Sequence, residues 1–401
     1  MAVEVLTIKD DEVPQFREAL INTFGADGEV DQGGDERFRA LIGPSQAWAA
    51  FDGKTIVATA ATFDLAVNLP GGNALPMAGL TMVTVRPSHR RRGLLRQLME
   101  RHLDDARQRQ FPVSGLWASE ATIYGRFGYG LAAFCEVYEI DQAHSLRIAD
   151  RQFDELDWLD EARARELLPA IYERAVAERP GALRRSAVWW NQRRFVETPW
   201  SRAGSSKRRF VAARRAGELV GYIAFRQKGK FADGLPEGEL DIVELIACEP
   251  RAEATLWRFA LSVDLFPHVK YWNAPADDSL PWLVDDFRRV KRRRGDNLWL
   301  RIEDVPATLE RRTYARDGRL RISVGATTYE LGVEGGRPWC AETQHAPDIE
   351  IDMQALATLY LGCTTATQLA RAERIRGERN ALLLADQIFA TPLAPWCPEV
   401  F

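Results

Sequence analysis

One short stretch, residues 83–95, constrains the fold of this chain more than any other. The β-branched run Val83-Thr84-Val85 stops at Pro87, and three arginines and Gly93 then lead into a helical pattern. A turn of this kind leaves backbone N–H groups unpaired at the start of a helix, where the macrodipole is positive. Glycine lets a ligand approach the backbone closely, and arginine suits phosphate geometry. The stretch therefore predicts a strand–loop–helix unit that binds an anion, for which a pyrophosphate is the obvious candidate.

The spacing Arg90-x-x-Gly93 resembles the acyl-CoA loop of the GCN5-related N-acetyltransferases. That loop reads Arg/Gln-x-x-Gly-x-Gly/Ala and lies between a strand and a helix, and Leu95 stands here in place of the second small residue. An arginine run at a helix start is, taken alone, commonly just a solvated face. The loop by itself therefore leaves acyl-CoA binding open.

A second motif lies downstream of the loop. Tyr124 with Gly128-Tyr129 matches the Tyr-x-x-x-Gly-Phe/Tyr pattern that ends a short helix in the same superfamily. When an amine attacks a thioester, CoA leaves as a thiolate that takes up a proton. A phenol with a pKa of about 10 stays protonated at neutral pH and can donate that proton. Tyr124 alone could be an ordinary core tyrosine, but its place after the arginine loop favours a general acid.

Chain length and net charge indicate the number of domains and argue against one class of partner. The 401 residues exceed one ordinary domain and predict two or three. Since 53 basic and 57 acidic residues give a net charge of −4, and the basic cluster at residues 291–294 is short, we expect no nucleic-acid partner.

Cysteine and histidine usage argues against metal chemistry. The five cysteines are odd in number and widely spaced, and the five histidines form no metal-spaced pair, so we expect no metal. The N-terminus lacks a signal-peptide pattern, and no stretch of about 18 apolar residues occurs. We therefore expect a soluble, cytoplasmic protein without a membrane partner.

The pattern of strands and helices divides the chain. Residues 1–145 alternate strands and helices and contain an apolar hairpin turned at Asp52-Gly53. Residues 146–295 repeat this layout, with a hairpin at Ala216-Gly217 and a strand that ends at Pro250, but lack the glycine and the arginines of the loop. An internal duplication is the economical interpretation, and the second copy should not bind CoA.

The remaining segment, residues 296–401, has a different texture. Short strands separated by Asp317-Gly318 and Gly335-Gly336 are followed by helical patterns. This α+β segment resembles the sterol-carrier fold, and we expect a structural role for it. The predicted fold class is α/β (mixed α+β): two tandem acetyltransferase-like units, the second degenerate, followed by a C-terminal sterol-carrier-like α+β domain.

The last residues are unusually stiff and apolar. Three prolines accompany Trp396 and Phe401, whereas most chains end in residues that fray. A docked tail would bring the free α-carboxylate into the interior, where burial raises its pKa and makes it a better base. A tail pinned only for packing is the alternative.

The stretch 79–130, together with the three-part layout, resembles the Eis-type (enhanced intracellular survival) acetyltransferases of actinobacteria, in which Leu95 is a normal residue. In that family the tyrosine of the Tyr-Gly-Arg-Phe-Gly motif is the general acid and the terminal carboxylate of a C-terminal Phe is the general base. The resemblance therefore assigns these roles to Tyr124 and Phe401. It places the acetyl-CoA contacts at Val83, Thr84, Val85, Arg91, Arg92, Gly93, Leu94, Leu95, Arg96, Ser119 and Glu120.

The amine substrate must be cationic, which makes acidic residues candidate contacts. Asp27, in an acidic loop, and Glu399, beside the terminus, are the candidates. The loop could equally be a solvated excursion. The family acetylates aminoglycoside amines and some lysine side chains, and it assembles as hexamers, so the resemblance also implies a homo-hexamer.

We therefore expect an N-acetyltransferase that moves acetyl directly from acetyl-CoA to amines of a polycationic substrate such as an aminoglycoside. The Val83 N–H is the expected donor to the developing oxyanion. Cys135 lacks the signature of a covalent nucleophile. A protein-lysine acetyltransferase is one alternative. A non-catalytic acyl-CoA-binding or lipid-carrying module is another, although it would tolerate loss of Tyr124 and of the terminal carboxylate.

Overall fold

A computed structural model describes residues 3–25, 33–149 and 151–401 of the chain. The α-helices are α1 (Val13–Phe24), α2 (Gly34–Leu41), α3 (Leu94–Gln108), α4 (Ala121–Tyr124), α5 (Glu161–Val176), α6 (Ala187–Trp189), α7 (Pro199–Arg202), α8 (Pro250–Ser262), α9 (Leu280–Leu283), α10 (Val305–Leu309), α11 (Met353–Tyr360), α12 (Ala366–Arg371) and α13 (Arg379–Phe389). None of the helices in the described ranges combines the length and apolar character that crossing a membrane requires.

The strands are β1 (Glu4–Thr7), β2 (Ala47–Asp52), β3 (Thr55–Asn68), β4 (Ala74–Val85), β5 (Val113–Leu116), β6 (Gly130–Leu131), β7 (Phe134–Ile140), β8 (Glu155–Leu159), β9 (Arg209–Arg215), β10 (Glu218–Lys228), β11 (Phe231–Ala232), β12 (Leu235–Pro236), β13 (Glu239–Ala247), β14 (His268–Pro275), β15 (Val290–Asp296), β16 (Trp299–Ile302), β17 (Gly318–Val324), β18 (Thr327–Glu334), β19 (Arg337–Glu342), β20 (Ile349–Ile351) and β21 (Ile375–Gly377).

These elements form two compact units. The first comprises Met1–Ala133, Leu298–Pro392 and Glu399–Phe401, and the second comprises Phe134–Asn297 and Leu393–Pro398. The first unit contains two sheets and the second contains one large sheet together with the small β11–β12 hairpin.

The larger sheet of the first unit has the strand order β1-β2-β3-β4-β5-β16-β6. Its neighbours are antiparallel except for β4 and β5, which run parallel because α3 connects them. The helix buries Leu94, Leu98 and Met99, spaced to lie along one face, against a core that includes Trp48 and Leu116.

Strand β16 is the place where the sequence pattern and the sheet differ. The pattern groups residues 298–302 with the C-terminal segment, whereas Trp299 pairs with Leu116 of β5 and with Leu131 of β6. A strand of four residues shows which residues can be buried but not which sheet they complete, since pairing is a long-range property.

The second unit is a seven-stranded sheet with the order β15-β7-β14-β13-β10-β9-β8. It too has a single parallel pair, β13 and β14, connected through α8. Alternate residues of its central strands enter opposite cores, as a period of two requires. One core, with α8, takes Val211, Ala213, Ile223 and Phe225, and the other, with α5, takes Phe210, Ala212, Tyr222 and Ala224.

In the second unit the tail residue Cys397 is held by a pair of buried asparagines. Asn297 accepts from the Cys397 N–H at 2.8 Å, and the side-chain amides of Asn273 and Asn297 donate to its carbonyl at 3.1 and 3.0 Å. The Trp396 N–H donates to the Pro180 carbonyl at 2.8 Å. The tail is therefore docked through its backbone, in accord with its stiff, apolar composition.

The smaller sheet of the first unit, β19-β18-β17-β20-β21, is organised around a buried arginine. The guanidinium of Arg312 donates to the carbonyls of Tyr360 and Phe389, the latter at 3.2 Å, and these residues are the last of α11 and α13. The negative ends of two helix dipoles thus meet one cation. The rings of Tyr314 and Phe389 lie 4.7 and 5.2 Å from the guanidinium carbon and add cation–π attraction.

We expect Arg312→Met to lower the free energy of unfolding of the full chain by about 3 kcal/mol, because two buried helix-end carbonyls lose a charged donor. Urea denaturation followed by tryptophan fluorescence would measure the change. Arg311→Met, at the exposed neighbouring position, is the matched control and should change the value little. Equal effects of the two variants would contradict a special role for Arg312.

Candidate active site

Strands β4 and β5 of the first unit pair over only three residues. Their register runs from Met77–Val113 through Ala78–Ser114 to Gly79–Gly115. Strand β4 continues to Val85, whereas β5 ends at Leu116. Beyond Gly79 the strands therefore separate, and we call this opening the fork. Backbone groups of β4 that face the fork lack a partner strand in this sheet and can bind an extended ligand.

A β-bulge on the other edge of β4 shapes the fork. Met82 and Val83 together lie opposite one residue of β3, and Met82 has a φ of 54°. The buried Thr59 of β3 holds the bulge: its hydroxyl donates to the Met82 carbonyl at 2.7 Å and lies 2.6 Å from the Thr84 hydroxyl. The bulge changes the direction of the Val83 backbone relative to a regular strand.

The arginine loop follows β4 directly. Arg86 donates its N–H to the Val57 carbonyl at 2.8 Å, and a short 3-10 turn, Pro87–His89, leads into the arginines. Gly93 caps α3 with a φ of 78°, which glycine tolerates best, and it has no side chain to occupy the first N–H groups of the helix. Arg90, Arg91, Arg92 and Arg96 are exposed, Leu94 is buried and Leu95 is half-buried.

Tyr124 lies on α4, in the segment that follows β5. Its side chain is buried, and its hydroxyl shares a hydrogen bond with Ser119. Burial raises the pKa of Tyr124 to about 12, so the phenol is protonated at neutral pH. Its ring packs edge-on against Tyr129, with 6.1 Å between centroids. Ser119 and Glu120 are exposed where α4 begins.

The glycines around Tyr124 let the C-terminal segment approach. A Cβ atom on Gly130 would lie 2.0 Å from the Gln354 carbonyl oxygen, and one on Gly125 would lie 2.8 Å from the Gln354 side-chain nitrogen. Arg301 donates to the Phe127 carbonyl at 2.7 Å. Gly125 and Gly130 therefore allow α11 to pack tightly against the loop that carries Tyr124.

Phe401, the last residue, lies at the fork. Its side chain is 7% exposed, and a Cβ atom built on Gly79 would lie 3.3 Å from Phe401 Cε2. Gly79 belongs to the last β4–β5 pair, so the ring packs on the face of the sheet at the pair after which the strands separate. Glu399, two residues earlier, is also buried. Asp27 lies outside the described residues.

The first unit thus contains every described site residue that the sequence singles out. Val83, Thr84 and Val85 edge the fork, residues 91–96 form the loop, and Phe401 contacts Gly79. The sequence patterns miss Thr59 and Gly79. A glycine inside a strand signals close approach by another group and could have revealed Gly79, whereas a threonine in a strand carries no such signal.

This arrangement combines an arginine-rich loop at an uncapped helix start, an open strand edge, a protonated phenol and a chain terminus. Within the described ranges, no three His, Cys, Asp or Glu side chains are grouped as metal ligands. In the second unit, burial raises the pKa of the Cys135 thiol to about 11, which disfavours the thiolate that a covalent route requires.

Family models match three consecutive regions. Two models described as an acetyltransferase (GNAT) domain match residues 4–132 and 181–302, and one described as a sterol carrier protein domain matches residues 305–398. The predicted fold class, with two acetyltransferase-like units and a sterol-carrier-like domain, is confirmed.

Relatives and solved structures agree with these matches. N-acetyltransferase Eis of Mycobacterium tuberculosis is 34% identical over 354 residues, which cover 84% of each chain. An uncharacterized N-acetyltransferase of Streptomyces avermitilis is 34% identical over 412 residues, which cover all of both chains. The crystal structure of Eis1 from Mycobacterium abscessus superposes with a TM-score of 0.83 at 29% identity over the full length of both chains.

We expect Gly79→Ala to displace Phe401, because the added methyl group would lie 2.5 Å from Leu65 Cδ1 and 3.3 Å from the Phe401 ring. Carboxypeptidase should then release the C-terminal residue several-fold faster than from the wild type. Gly229→Ala, where no atom lies within 4 Å of the new Cβ, is the control. An unchanged release rate would mean that Leu65 alone absorbs the methyl group.

Proposed function

Since the chain belongs to the Eis family of GCN5-related N-acetyltransferases, we propose that it transfers acetyl from acetyl-CoA to the amines of a polycationic substrate such as an aminoglycoside. The observation that carries this proposal is the burial of the chain terminus at the fork, in contact with Gly79. In this proposal the free carboxylate of Phe401 acts beside an edge that suits the thioester and pantetheine of an acyl donor.

The arginine loop fits the pyrophosphate of acetyl-CoA. Gly93 leaves the start of α3 without a side-chain cap, and Arg91, Arg92 and Arg96 are exposed around it. The uncapped N–H groups, the positive end of the helix dipole and the arginine charges favour the same anion. In this proposal Val83, Thr84, Val85, Gly93, Leu94, Leu95, Ser119 and Glu120 provide the remaining contacts to the donor.

The proposed mechanism is direct transfer with one base and one acid. The Phe401 carboxylate takes a proton from the substrate ammonium, directly or through water, and the free amine attacks the thioester carbon. The Val83 N–H stabilises the oxyanion that develops there. As the C–S bond breaks, Tyr124 donates its proton to the leaving sulfur, and the proton lost by the new amide nitrogen restores the phenol.

The substrate must approach as a cation, which acidic groups attract. Glu399 is buried two residues before the terminus, and we assign it, with Asp27, to the amine site. Because an aminoglycoside carries several ammonium groups, more than one carboxylate would serve to orient it.

We extend the proposal to organisation. Residues 1–145 form the catalytic domain, residues 146–295 the degenerate copy and residues 296–401 the sterol-carrier-like domain with the tail that returns to the active site. Homo-hexamer assembly stays a prediction that rests on the family resemblance, and a cytoplasmic location stays a prediction that rests on the N-terminal and hydropathy patterns of the sequence.

The first experiment extends the chain by a few residues beyond Phe401. Thiol release from acetyl-CoA with an aminoglycoside should fall by about 10³-fold or more, because the terminal carboxylate no longer exists at that position, while acetyl-CoA still binds. An N-terminal extension of the same length is the control. Equal turnover of both forms would remove Phe401 from the mechanism, and thiol release with lysine peptides only would identify the substrate as a protein.

Tyr124→Phe should lower kcat by about 10²–10⁴-fold and leave acetyl-CoA affinity unchanged, because only the proton donor is lost. Since the raised pKa of Tyr124 is about 12, ionisation of this phenol should not reduce the wild-type rate between pH 7 and about 10. Tyr360→Phe, which removes another buried hydroxyl, bonded to the Thr308 carbonyl at 2.9 Å, is the control. Near-wild-type turnover of Tyr124→Phe would refute the acid assignment.

A further inference from the structure

Four buried polar side chains beside the fork have no part in the mechanism described above. They come from four elements: Thr62 from β3, His102 from α3, Ser114 from β5 and Tyr129 from the segment between α4 and β6. Each is fully or almost fully buried. We call them the His102 cluster.

A count of protons assigns every hydrogen bond of this cluster. The Ser114 hydroxyl donates to the Ala78 carbonyl at 3.0 Å, since a carbonyl can only accept. The Tyr129 hydroxyl, 2.6 Å from Ser114 Oγ, must therefore donate to it. His102 Nε2 lies 2.7 Å from Ser114 Oγ and 3.1 Å from the Tyr129 oxygen. Both hydroxyl groups already donate their protons elsewhere, so Nε2 must be the donor and carries a proton. Nδ1 then accepts from the Thr62 hydroxyl at 2.7 Å.

The imidazole of the cluster is neutral. Burial, reinforced by the positive charge of Arg301, lowers the pKa of His102 to about 3. Burial and the negative charge of Glu303 both raise the pKa of Tyr129, so its hydroxyl stays protonated. With both ring nitrogens bonded, His102 neither takes nor gives a proton near neutral pH. Its contribution must be geometric.

The cluster connects the fork to the proposed acid. At one end it bonds the carbonyl of Ala78, the residue before Gly79 in β4. At the other end the Tyr129 ring packs edge-on against Tyr124, and the Tyr129 N–H lies 3.4 Å from the Tyr124 carbonyl. The hydrogen-bond network thus fixes the Tyr129 ring through its hydroxyl, and the Tyr124 ring packs against that ring.

Stability is a weak reason for such a cluster. A buried hydrogen bond contributes little net free energy compared with apolar packing of the same volume, because each partner first loses its water. What a fully satisfied network adds is direction, since hydrogen bonds restrict orientation more strongly than apolar contacts do. The four polar groups are therefore explained by a need for fixed geometry at this point of the first unit.

We propose that His102 is a positioning residue that sets the Tyr124 phenol through Ser114 and Tyr129. This inference rests on the proposed role of Tyr124 as general acid. Proton transfer requires hydrogen-bond distance between the phenol and the leaving sulfur, and displacements of a fraction of an ångström slow it. The imidazole holds Tyr129, Tyr129 holds the Tyr124 ring, and no atom of the cluster touches the substrate.

The test is a double-mutant cycle between positions 102 and 124, read by thiol release from acetyl-CoA. His102→Leu should lower kcat about tenfold and change the acetyl-CoA KM by less than about twofold. In the Tyr124→Phe background the same substitution should have no further effect, since the phenol that it positions is absent. His102→Gln, which keeps a donor towards Ser114, should restore most of the rate.

Several outcomes overturn the proposal. A tenfold loss in both backgrounds would mean that His102 supports the fold in general, and a KM increase as large as the kcat loss would place its effect in donor binding. Full activity of Tyr124→Phe alone would refute the proposed acid and, with it, this inference. A normal Tyr124→Phe loss with additive His102→Leu would refute only the inference.

A more conservative substitution tests the same proposal if His102→Leu does not fold. Tyr129→Phe removes the hydroxyl and keeps the ring against Tyr124, and it should show the same kcat loss and the same lack of additivity. Thr308→Val removes a comparably buried hydroxyl, which bonds the Pro112 carbonyl at 3.0 Å just before β5, and should leave kcat unchanged. Equal losses for Tyr129→Phe and Thr308→Val would also overturn the proposal.

Discussion

The separation of β4 from β5 after the Gly79–Gly115 pair is the constraint on which the rest of the first unit depends. A continued ladder would consume the backbone groups of residues 80–85 and leave no opening. Because the strands part, β4 can carry a bulge held by Thr59 and then lead into the arginine loop. The segment that carries Tyr124 begins where β5 stops. A side chain at position 79 would crowd the terminal ring of Phe401, since its Cβ atom would lie 3.3 Å from that ring.

The C-terminal segment supports this site mechanically. Helix α11 packs on the loop of Tyr124 through glycines that admit its backbone and Gln354. Arg312 in turn bonds the ends of α11 and α13, so one buried cation connects the helix that packs on the loop of Tyr124 to the helix that precedes the tail. This mechanical support of the loop of Tyr124 requires no ligand in the sterol-carrier-like sheet. The side chains of that sheet pack into a core, in which Leu320, Ile322 and Leu331 are fully buried.

The base that we propose is the terminal carboxylate rather than one of the three histidines of the described first unit, of which His345 is exposed in the sterol-carrier-like segment. His102 lies near the fork, but both its nitrogens are bonded and burial lowers its pKa to about 3. His89 lies on the arginine loop, with Nε2 3.1 Å from the Asp52 carboxylate. Neither imidazole is placed to accept a proton at the fork, whereas the chain terminus lies there.

Local features were readable from the residues alone. The strand, proline, arginines and glycine of residues 83–95 predict a loop before a helix, and Tyr124 with its glycines predicts a short turn, because such geometry depends on neighbours within one or two turns of chain. The family resemblance depends on these spacings together with the three-part layout of the chain. The weak repetition of the same pattern in the second copy was also visible.

Only the tertiary structure decided which distant residues meet. Gly79 and Phe401 lie 322 positions apart in the sequence. Strand β16 joins a sheet whose other strands precede it by more than 160 residues, and Arg312 donates to the last carbonyls of two separate helices. Local conformational preferences do not determine such contacts. Burial and hydrogen bonding stabilise any compatible pair of residues, and only the complete fold brings one particular pair together. The sequence by itself determined the loop, the phenol and a tail suited to burial; the fold determined that the tail ends at the fork, since only packing brings a terminus to a particular strand.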